Sequence, residues 1–118
     1  MEQIEIRRVP GTRESTVILQ IIGPLTLATL FDLQAALREL GTADAIIDLT
    51  DVPYIDSAGL GAILSQWAHA QRNSAKFAVA GMCERVVTLL KITKVDSLLP
   101  AFPTVAAAEA SFAAAVGA

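Results

Sequence analysis

Cysteine occurs once, at Cys83, and histidine once, at His69. A single thiol excludes an internal disulfide framework and suits a reducing compartment. By itself Cys83 reads as a small buried hydrophobe. Charge is scarce too, at 18% of residues, with a net balance of -3. The Lys and Arg residues are scattered, without the clustered stripe that neutralising phosphates requires, so nucleic acid is not an expected partner. The start, Met1-Glu2-Gln3-Ile4-Glu5, lacks the basic segment and apolar core of a signal peptide. Residues 15–31 carry no charge, but Gly23-Pro24 interrupts them and they fall short of the ~20 apolar residues of a spanning helix. No membrane insertion is expected. Repeats, low-complexity linkers and charge blocks are also missing.

What remains is apolar: 53% of the 118 residues are hydrophobic, far from a disordered composition. The length suits one domain, and such a chain buries roughly two-thirds of its unfolded surface. Alternation over 3–9 and the β-branched run 16–22 predict two strands joined by a turn at Pro10-Gly11. Leu30, Leu33, Leu37 and Leu40 predict an amphipathic helix over 27–40, stopped by Gly41. Strands at 45–50 and 76–80 and helices at about 57–72, 83–92 and 104–116 complete the pattern. Segment 97–103 holds two prolines, Pro100 and Pro103, and reads as an edge strand or an extended connector. A hairpin followed by alternating strands and helices predicts an α/β fold: a mixed, mostly parallel sheet of four to five strands, with about four helices.

The third strand runs into "IDSAGLGAIL", residues 55–64, and in open α/β sheets ligands and partners are met past the carboxyl ends of strands. Leu60, Ile63, Leu64, Trp67 and Ala68 predict the buried stripe of the following helix. Ala58, Ala62, Ser65, His69 and Arg72 are expected on its outer side. Gly59 and Gly61 add no side chains there, though a helical glycine costs up to ~1 kcal/mol relative to alanine. Close approach by another backbone would explain them. Asp56 and Ser57 suit an N-cap.

Other chemistries fit poorly. A nucleophilic serine needs a base in reach, and His69 lies twelve residues along the helix, roughly 18 Å away at 1.5 Å per residue; it reads as solvent-facing. A phosphate cradle needs a lysine that Gly59-Leu60-Gly61 lacks nearby. Asp48, Asp51 and Asp56 find no further ligand for a metal. A modified serine does fit: a phosphoryl group at a helix N-terminus adds about two negative charges where the dipole tolerates them. A partner lying over Ala58, Gly59 and Ala62 would then face a dianion beside Asp56.

Asp48-Leu49-Thr50, Val52 and Ile55-Asp56-Ser57-Ala58-Gly59-Leu60-Gly61 resemble the signature of the STAS domains of anti-sigma factor antagonists. "IIGPLT", "FAVAGM" and "LLKITKVDSLLPAFPTVAAAEA" extend the resemblance over most of the chain, so residues 1–118 are expected to be one STAS domain. The resemblance implies a cytoplasmic, non-catalytic protein without cofactor or metal. Its partners would be an anti-sigma factor serine kinase, which phosphorylates Ser57 and so breaks the complex, and a PP2C-type phosphatase, which restores it. Asp56, Ser57, Ala58, Gly59, Gly61 and Ala62 would form the partner-binding surface. Antagonists often carry G-E-L-D after the second strand, where this chain has Gly23-Pro24-Leu25-Thr26. That departure leaves a second reading, an adaptor on a lipid-transport ABC ATPase or a stress-signalling scaffold without a phosphorylation cycle.

Overall fold

The computed structural model describes residues 3–13 and 15–117, with side chains to Ala113. Met1 and Glu2, read above as part of a start without a leader, lie outside the described residues. Strands β1 (Glu5–Pro10), β2 (Thr16–Ile22), β3 (Asp44–Asp51), β4 (Phe77–Ala80) and β5 (Ala101–Phe102) form one sheet in that order. β1 is antiparallel to β2, and β2 through β5 are parallel to one another. The helices are α1 (Leu30–Glu39), α2 (Ser57–Arg72), α3 (Glu84–Ile92) and α4 (Val105–Gly117). The ambiguous segment thus resolves as a two-residue edge strand between its prolines, since proline cannot donate to a ladder.

Successive strand residues point to opposite faces, and here both faces are covered. Leu19, Ile21, Ile47, Leu49 and Val79 face α1, α2 and α3, meeting Leu33, Leu37, Ile63, Val86 and Leu90. Ile18, Ile46, Ala78 and Ala80 face the other way, onto Ala108 and Phe112 of α4. Two covered faces explain why β3 and β4 read as continuous apolar runs.

The helix expected over 27–40 is divided. Leu27–Thr29 forms a 3-10 turn, and α1 starts only at Leu30. Thr29 sits at φ -110°, ψ 6°, outside helical geometry. Its buried hydroxyl donates to the Pro24 carbonyl (2.9 Å) and accepts the Thr26 N–H (3.0 Å). Such local side-chain bonds compete with helix continuation. Gly41, at φ 57°, ends the helix as expected, because glycine enters the left-handed region without a Cβ penalty.

Candidate functional site

The site is built where the segment after β2 runs beside the segment after β3. The Gly23 N–H donates to the Asp51 carbonyl, the Leu25 N–H to the Tyr54 carbonyl, and the Asp56 N–H back to the Leu25 carbonyl. This ladder, with a parallel bridge between Leu25 and Ile55, brings the 3-10 turn against the start of α2.

Asp56 fastens that junction. Oδ1 accepts the Ala58 N–H (2.9 Å) and the Gly59 N–H (3.0 Å), the bonds of an N-cap, and Oδ2 accepts the Leu27 N–H (3.0 Å). Partial burial pushes the pKa of this carboxyl up, but the N–H groups of Gly59, Leu27 and Ala58 outweigh it and hold it below the usual aspartate value. The cap is therefore Asp56 and not Ser57. Ser57 is the first residue of α2, exposed, and its hydroxyl makes no hydrogen bond to any described residue.

The surface around Ser57 is narrower than expected. Ala58 is half-buried and Gly61 is exposed, with nothing within 4 Å of where its Cβ would stand. Gly59 and Ala62 are buried, Gly59 against the Leu25 carbonyl and Ala62 at the floor of the cleft between α1 and α2. A close backbone approach does explain Gly59, but the backbone is the chain's own: a Cβ there would press into the Leu25 carbonyl. Ala62 is only 9% exposed, since α1 stands on that side of α2. The buried stripe of α2 is correspondingly wider. Leu60, Ile63 and Ala70 are buried, while Leu64, Trp67 and Ala68 are only half-buried. Trp67 still packs against the core.

His69, expected to face solvent, instead bridges helices: Nε2 lies 3.0 Å from the Gly41 carbonyl at the end of α1. It is a fastener at the far end of α2. Asp48 is engaged locally, accepting from both the Thr50 N–H and hydroxyl. Among the described residues no group of three or more His, Cys, Asp and Glu comes together as a metal site. No helix in the described residues is long and apolar enough to cross a membrane.

The resulting geometry is an exposed serine at the head of a helix, pinned by an aspartate that ties it to the loop after β2. A model of the STAS domain matches residues 3–108. The chain belongs to the STAS domain family. This STAS domain is 28% identical over 91 residues to an anti-sigma-B factor antagonist of Staphylococcus aureus, covering 75% of this chain and 84% of that one. In fold it is similar to an anti-sigma factor antagonist structure from Thermotoga maritima: TM-score 0.80, 20% identity, 90% and 92% of the two chains covered. It is also similar to phosphorylated SpoIIAA of Bacillus, at TM-score 0.68 and 12% identity over 92% and 99% of the chains.

Sequence reasoning missed Leu27 and Phe31. They are 69% and 82% exposed, and the Leu27 N–H donates to Asp56. Their i, i+4 spacing was visible, but a helix assumed to run unbroken from 27 hid the exposed edge.

Proposed function

We propose that this STAS domain is an anti-sigma factor antagonist. It binds an anti-sigma factor serine kinase in the cytoplasm and is released when Ser57 is phosphorylated. A PP2C-type phosphatase reverses the modification. The observation that carries this reading is the division of labour at the head of α2: Asp56 does the capping and Ser57 stands exposed without a structural bond. The names of the staphylococcal relatives support it.

The physics of release follows from the same contacts. The Ala58 and Gly59 N–H groups already serve Asp56. A phosphoryl group on Ser57 therefore projects outward, as a dianion beside a carboxylate held in its charged form. A partner seated on Ala58 and Gly61 meets bulk and repulsion, while the fold keeps its cap. The domain acts as binder and substrate, not catalyst.

The test is intact-mass measurement after incubation with magnesium, ATP and the candidate kinase. One added phosphate is expected on the native chain and none on Ser57→Ala. Ser57→Asp is expected to lose kinase binding, and phosphate on neither chain with binding unchanged in Ser57→Asp would reject the reading. The adaptor reading draws on Pro24 and Thr26, the latter buried where antagonists often carry an acid. Co-purification with an ABC ATPase, and with no anti-sigma factor, would favour it.

A further inference from the structure

Beyond Ser57, a groove of about 600 Å³ runs between α1 and α2. Its floor is apolar, made of Leu30, Leu37, Ala58 and Ala62. Gly61 leaves the near end bare, and His69, bonded to Gly41, closes the far end. From Ala58 to His69 the α2 side runs ~16 Å at 1.5 Å per residue, the length of about three helical turns.

The α1 wall presents Leu30, Gln34, Leu37 and Arg38, spaced to lie on one side of the helix. Leu27 and Phe31 are large, apolar and exposed but stand outside this lining. Arg38 is exposed at the other end, and its guanidinium makes no ion pair or hydrogen bond with any described residue. In a chain of net charge -3, no aspartate or glutamate lines this groove. An open trough flanked by two helices, with an apolar floor and one uncompensated cation, complements a helix that is apolar on one face and acidic near one end.

We propose that the groove between α1 and α2 is a docking track for a helix of the anti-sigma factor, apolar where it inserts and acidic where it passes Arg38. This rests on the antagonist reading above and extends that interface from Ser57 along the whole of α2. Leu30, Leu37 and Ala58 act as its apolar contacts. A phosphate on Ser57 then stands at the mouth of the track.

The probe is a stapled eleven-residue helix with leucines at i, i+4 and i+7 and a glutamate in its first or last turn; control peptides carry lysine instead. Titration into the full-length, isotope-labelled protein is followed by amide NMR. Saturable shifts at Gln34, Arg38, Ala58 and Gly61 are expected, with threefold to tenfold weaker binding of the lysine peptide, in the range of an exposed ion pair and its reversal. Arg38→Glu should invert that preference. Gly61→Leu fills open space in the groove and should abolish binding while the thermal midpoint is kept. No binding of either peptide overturns the proposal. So do shifts confined to exposed Ile92 and Leu98, or groove shifts that appear on concentrating the protein alone, which would mark a second copy as the occupant. Groove binding without Ser57 phosphorylation by the kinase would keep the track and remove the kinase cycle; phosphorylation without groove binding would do the reverse.

Discussion

At the scale of single residues, the two glycines that flank Leu60 have opposite jobs. Gly59 is required by the Leu25 carbonyl lying against it, whereas Gly61 has open space. Gly59→Ala should therefore destabilise the fold by about 1–3 kcal/mol, the range for overpacking. Gly61→Ala should stabilise it by up to ~1 kcal/mol, the helix-propensity difference. Urea denaturation of the two variants checks both signs. Asp56 makes a second prediction. Asp56→Ala should cost about 0.5–2 kcal/mol as a lost cap, with the Leu27 tie lost as well. Because the folded-state pKa of Asp56 is lowered, its contribution is present above the unfolded value of about 3.9 and is lost as pH falls through the folded value. Melting curves between pH 2 and 6, in the range set by ordinary carboxyl titration, should show a shallower acid loss in Asp56→Asn than in the native chain.

At the scale of elements, the break before α1 sets where the site's apolar edge stands. The Thr29 hydroxyl answers the Pro24 carbonyl and the Thr26 N–H inside the protein. Thr29→Val keeps the shape and removes both bonds, so a loss of about 1–3 kcal/mol is expected for buried groups left unpaired. If the 3-10 turn instead merges into α1, Leu27 shifts around the helix and its N–H leaves Asp56. The Leu27 amide resonance should then report the change. In α2 the apolar stripe alone pointed to the correct buried side, but α1 stands beside α2 beyond that stripe. This buries Ala62 and turns His69 into a helix-to-helix fastener.

At the scale of the molecule, the core is divided by the sheet, with α1, α2 and α3 on one face and α4 alone on the other. Ser57 belongs to neither half of that core, being exposed at the head of α2. A modification proposed at Ser57 would thus be separable from folding. Ser57→Glu should change global stability by no more than ~0.5 kcal/mol, as for most surface substitutions, while partner binding is lost. Paired calorimetry and binding titration check this. Leu33→Ala, in the fully buried core of the three-helix face, should cost about 2–5 kcal/mol and weaken binding only through unfolding.

Local pattern determined much of this protein. The 2-residue and 3.6-residue periods placed strands and helices, Gly41 its helix stop, and the alternation of elements the mixed, mostly parallel sheet, since these depend on neighbours in the chain. The motif from Ile55 to Gly61 marked the candidate site for the same reason. Only tertiary structure decided how the candidate site is arranged. That Asp56 reaches Leu27, that Gly59 answers Leu25, that Ala62 is covered and that Leu27 and Phe31 stand open all depend on segments about 30 residues apart meeting after β2 and β3. Periodicity says which side of a helix is apolar, but it carries no information on how closely the next helix will lie.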